Sequence, residues 1–267
     1  MFLKLVKHES HAATRAMLPL LGGLLVMALL ARGSIWMTDS VDSTVTSIIG
    51  VFLIGAFFLA CGAMVVTTMI LMMVRFKKSV HSDEGYLTHT LPVGVNSILL
   101  SHLLVSFVAV LLSFAAVYLS IRIATLGVDS IKSIGLSIKN IFKGAGIETS
   151  VMLIRICCIG AMGILVTILM IAAAISIGHS FPTGKTGKSV LFFFVLYFAQ
   201  QLIVSIAMVA VFTAKYAVTG STATLFGTTT ESISSTMLWF SAGQYILFGT
   251  VYYLLTWFMT KKHLNLA

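Results

Sequence analysis

Six long apolar stretches, at about 16–32, 45–74, 97–124, 151–178, 189–213 and 236–259, leave little choice of architecture for this chain. Each has roughly the 20 residues needed to cross the hydrocarbon core of a bilayer. Within lipid each can satisfy its own backbone only as a helix, and the alternation expected of barrel strands is absent. Charged residues make up 9% of the chain and apolar residues 58%, against about a quarter charged in soluble domains. The expectation is an all-α integral membrane protein, a single transmembrane domain over 1–267. The first stretch is not expected to be a signal peptide, since a polar segment precedes it and no small-residue cleavage site follows.

The distribution of Lys and Arg sets the expected orientation. Lys4, Lys7, Arg15, Arg75, Lys77, Lys78, Lys185, Lys188, Lys261 and Lys262 fall in one set of connecting segments, whereas Lys132, Lys139, Lys143 and Lys215 fall in the other. Both termini are therefore expected in the cytoplasm with six spans between them. The net charge of +9 is then mostly a topology signal, and nucleic acid is not an expected partner.

Two segments outside the spans are amphipathic. Wound at ~100° per residue, the N-terminal segment gathers Lys4, Lys7, His8, His11 and Arg15 on one side and Phe2, Leu3, Leu5, Val6, Ala12 and Ala13 on the other. That pattern predicts a helix lying in the cytoplasmic interface on membrane lipid. Glu9 falls in the middle of its apolar side, either as a frayed, solvated residue or in contact with a basic residue of a partner or another loop. Ile131, Ile134, Ile138 and Ile141 mark a second such helix on the outer leaflet. The stretch 214–235, rich in Thr, Ser and Gly, reads as a loop or a re-entrant hairpin.

Candidate chemistry is sparse. Cys61, Cys157 and Cys158 lie within apolar runs and read as small packing residues, with no metal cluster expected. None of the six runs contains Asp or Glu, which disfavours an ion-coupled carrier. Arg32, Arg122 and Arg155 stand toward outer ends, as snorkelling anchors or as a cationic rim meeting an anionic headgroup. No HExxH pair or GxSxG elbow is present, so an enzyme is not expected. GKTGKS at 184–189 lacks the earlier glycine of a phosphate-binding loop, and the chain is expected to bind neither ATP nor another cofactor itself.

The polar island 75–96, RFKKSVHSDEGYLTHTLPVGVN, stands out against this background. Ser82 followed by Asp83, Glu84 and Gly85 can start a short helix, acidic at its positive end; Tyr86, Leu87 and Leu91 give it an apolar side, and Pro92 ends it. Small residues Gly50, Ala56, Ala60, Gly160 and Gly163 are expected to allow close approach of the spans.

The run DEGYLTHTLPV resembles the loop after span two in ABC-2-type permease subunits of Gram-positive bacteria. KHESHAATRAMLPL, SIGHSF at 176–181 and KKHLNLA are similar to other parts of that family. The resemblance implies a plasma-membrane exporter subunit that pairs with a second permease copy or a paralogue and recruits separate ABC ATPase subunits, on which ATP and Mg²⁺ would bind. It also implies that Asp83, Glu84, Gly85, Tyr86, Leu87, Thr88, His89, Thr90, Leu91 and Pro92 form the coupling helix that docks on the ATPase. His179, Lys185 and Lys188 would belong to a second cytoplasmic turn. A non-transporting assembly or sensor subunit and, further off, an ion-coupled carrier are the alternatives.

Overall fold

The computed structural model describes residues 2–40, 43–81, 94–126, 149–181, 184–219 and 230–262. Among these the regular structure is entirely helical: α1 Phe2–Ser40, α2 Thr44–His81, α3 Val95–Ala124, α4 Thr149–His179, α5 Lys185–Thr219 and α6 Thr230–Lys262. The first five contain segments long and apolar enough to cross a membrane. Helix α6 is 33 residues long, but Gln244 and a scatter of Tyr, Gly and Thr lower its hydropathy, and composition alone does not place it with the other five.

Every helix outruns the apolar stretch that nucleates it. Helix α1 is the extreme case, 39 residues and about 58 Å at 1.5 Å per residue. The expected separate interfacial helix is therefore not observed; its residues form the opening turns of α1. Only Pro19 interrupts the potential for continuity, and a proline inside a helix removes one backbone hydrogen bond without having to end the helix. The 214–235 stretch is likewise partly helical, with α5 continuing to Thr219 and α6 beginning at Thr230. Residues 220–229 and the expected outer amphipathic segment lie outside the described residues.

Hydroxyl side chains fit these helices by bonding back to their own backbone. Thr68 donates to the Met64 carbonyl, Ser113 to Val110, Thr167 to Gly163 and Thr256 to Tyr252, each at 2.7–2.8 Å. A buried hydroxyl satisfied in this way needs no partner from a neighbouring helix.

The chain divides into two compact units. In the first, α1 packs along α3, and the core is built from Met17, Leu24, Ala28 and Ala31 of α1, Phe57, Cys61, Met64 and Met72 of α2, and Val105, Ala109 and Ala124 of α3. Gly50 brings the start of α2 against the end of α1; a Cβ there would meet Thr38 Cγ2 at 2.9 Å.

In the second unit, α4 packs against both α5 and α6. Its tightest point is Gly178, where a Cβ would lie 2.6 Å from Ser189 Cα, so only glycine admits the α5 backbone. Gly163 faces the Tyr245 ring, whereas Gly160 has open space beside it and is not a close-approach point. Gly184 starts α5: its φ of 66° suits glycine, and its carbonyl accepts the Lys188 N–H at 3.0 Å. The GKTGKS sequence is thus a helix start. Cys61 is buried as expected, but Cys157 and Cys158 are exposed on α4.

Candidate functional site

A polar cluster joins all three helices of the first unit. Glu9 comes from α1, Arg75 and Ser79 from successive turns of α2, and His102 from the third turn of α3. Arg75 Nη2 lies 3.6 Å from Glu9 Oε2, and His102 Nε2 lies 3.4 Å from Glu9 Oε1. Ser79 Oγ donates to Glu9 Oε1 at 3.4 Å and sits 2.8 Å from His102 Nε2. With Ser79 donating to the carboxylate, the ring Nε2–H is the donor to Ser79. The Phe76 ring meets the His102 ring edge-on at 5.7 Å between centroids.

The cluster is shielded. His102 is 4% exposed, and the side chains of Glu9 and Arg75 are 13% and 21% exposed. In such surroundings a carboxylate is held by its counter-charge and its hydrogen bonds together, and either alone would leave it poorly solvated. Arg75 Nη1 is buried without a hydrogen-bond partner among the described residues, so the guanidinium retains donor capacity toward one more acceptor.

Serine, histidine and a carboxylate in contact invite comparison with a nucleophilic relay, but the geometry is different. A relay places the serine and the acid on opposite ring nitrogens. Here Ser79 and Glu9 both face Nε2. The arrangement can hold a charge and clamp three helices; it is not built to activate Ser79.

The six apolar runs themselves hold no Asp or Glu. Because α1 is continuous, however, the spanning-length segment Leu5–Thr38 that contains the first run also includes Glu9. Glu9 signalled itself in the sequence as an acid on an apolar face. Its partners gave no comparable signal: Arg75 reads as one of several positive-inside residues, Ser79 as loop, and His102 as a span-end histidine.

The other candidate residues are dispersed. Lys7 and Arg15 are exposed on α1, and Lys4 lies in its first turns, with its side chain outside the described residues. In the turn between α4 and α5, His179 is buried; its Nδ1 is 2.9 Å from the Ile175 carbonyl oxygen and 3.4 Å from Ser189 Oγ. Lys185 is half-buried and its carbonyl accepts Ser189 Oγ–H, while Lys188 Nζ rests 4.5 Å from the centroid of the Phe181 ring, which stacks on Phe192. This turn is consolidated by its own contacts. Arg32 is half-buried on α1, Arg122 is exposed in the last turn of α3, and Arg155 is exposed on α4 beside a cleft. Asp83 through Pro92 lie outside the described residues. No grouping of three metal-ligating side chains occurs among the described residues.

Long apolar helices, hydroxyls satisfied within them and one shielded charge cluster define a multi-pass α-helical membrane protein. Compared with known proteins, the chain matches no family model, no curated protein and no solved structure.

Proposed function

We propose that this chain is the membrane-spanning permease subunit of an ATP-binding-cassette exporter, with six spans and both termini in the cytoplasm of a bacterial cell. A separate ATPase would bind ATP and Mg²⁺, and a second permease copy or paralogue would complete the pathway. The observation that carries the reading is the position of the Glu9 cluster. Arg75 and Ser79 lie just before the 83–93 segment that resembles a coupling loop, and His102 follows it by two to three turns. A displacement of that segment would act on α2 and α3 where both are tied to α1. An ATPase can shift a permease between two states only if it contacts them differently, and a loop rooted in a clamped three-helix junction supplies such a lever.

Co-purification from the native membrane tests this. A cassette ATPase should accompany the chain, and Glu84→Ala or Tyr86→Ala should lower ATP-dependent efflux about tenfold. Absence of any such ATPase, together with unaltered transport in both variants, overturns the proposal.

The shielded Glu9 favours one second reading, an ion-coupled carrier, because a carboxylate in a helical bundle is a natural proton site. Against it, Glu9 already has an ion-pair partner and stands in the third turn of α1, ahead of the main apolar stretch. Transport that persists without ATP, follows a proton gradient and is abolished by Glu9→Gln would establish the carrier instead.

A further inference from the structure

The second unit carries an open cleft of about 320 Å³ between α4 and α6, lined by Arg155, Cys158, Ile159 and Met162 on one wall and by Leu238, Trp239 and Ala242 on the other. The α4 residues recur at i, i+3, i+4 and i+7, which puts them on one helix face running away from the arginine. The cleft therefore has a cationic mouth and an apolar floor.

Its depth in a bilayer follows from helix geometry. From Arg155 to the end of α4 at His179 the rise is about 36 Å, somewhat more than the ~30 Å hydrocarbon core. With the rest of α4 crossing the core, Arg155 stands at headgroup level and Ile159 and Met162 lie one and two turns deeper, among the acyl chains. Trp239 is 80% exposed beside the same mouth, where an indole is suited to the interface. Among the described residues no carboxylate lines the cleft to neutralise the guanidinium.

We propose that this cleft binds an anionic phospholipid of the bilayer, with its phosphate on Arg155 and one acyl chain laid along Ile159, Met162 and Ala242. Guanidinium and phosphate match in charge and in hydrogen-bond geometry, and the apolar walls exclude water from the chain. A net anionic lipid is favoured over a zwitterionic one because the latter brings a second cation toward Arg155. The inference stands independently of any ATPase partner.

Fluorescence of Trp239 alone, in the Trp36→Phe/Trp257→Phe protein reconstituted in nanodiscs, reads the site directly. Chain-brominated phosphatidylglycerol in a phosphatidylcholine background should quench Trp239 with about threefold preference over the converse mixture, the value of a partly exposed ion pair. Arg155→Gln should remove that preference, Arg155→Lys should keep most of it, and Ala242→Phe should lower quenching by both lipids by filling the floor. Equal quenching by the two lipids, a preference that survives Arg155→Gln, or the same preference at Trp36 in the Trp239→Phe/Trp257→Phe protein overturns the proposal.

Discussion

Glu9 of α1 lies with Oε2 3.6 Å from Arg75 Nη2 of α2, so the only acid on the apolar side of the N-terminal segment is neutralised within its own unit. His102 and Ser79 complete its surroundings. A carboxylate held in this way ties the start of α1 to the parts of α2 and α3 that flank the 83–93 segment.

Glu9→Gln and Arg75→Met should each destabilise the protein by about 2 kcal/mol, less than for a fully buried pair because both side chains keep some exposure. The double variant should lose clearly less than the sum, with a coupling of about 1 kcal/mol. Thermal unfolding of the four proteins in detergent supplies the cycle, and strict additivity would show that the pair does not interact energetically.

His102→Ala should cost about 1–3 kcal/mol, since Ser79 loses a partner at 2.8 Å and the Phe76 ring loses its edge contact. In the Ser79→Ala background the same change should cost less, because the Ser79–His102 hydrogen bond is then already gone. Comparing the two melting shifts checks this.

Gly178→Ala should be among the most damaging single substitutions in the second unit. Its Cβ would meet the Ser189 backbone, which cannot swing aside as a side chain can, so α4 and α5 must separate at a cost of about 1–3 kcal/mol or more. Gly160→Ala, with nothing near its Cβ, should be neutral to slightly stabilising. The yield of monodisperse protein after detergent extraction, measured side by side, distinguishes them.

Tyr252→Phe removes the hydroxyl that donates to Gln200 Oε1 at 2.8 Å between α6 and α5. The expected loss is about 0.6–1.7 kcal/mol, the range for an interhelical hydrogen bond in a membrane protein. Gln200→Leu combined with Tyr252→Phe should recover part of it, because neither polar group is then left alone. Chemical unfolding of the single and double variants in mixed micelles tests the recovery.

The helices were legible because lipid allows few alternatives: a long apolar run must close its own hydrogen bonds, and each expected span lies within a helix. Their ends were less legible. The sequence pattern at residues 2–15 suits an interfacial helix, yet the same residues suit the continuous α1 that is observed, and nothing local chooses between the two. The paired cysteines show the same limit. Cys157 and Cys158 are apolar enough for a core, and only the tertiary packing decides that they stay exposed.

The site divides along the same line. Sequence by itself determined that the chain belongs in a membrane and that Glu9 was out of place on its helix face, since hydrophobic length and helical periodicity are properties of one segment at a time. Tertiary structure alone decided which residues answer that charge. Arg75, Ser79 and His102 are 66 or more positions away from Glu9 along the chain, and only the packing of three helices brings them within 3.6 Å of its carboxylate.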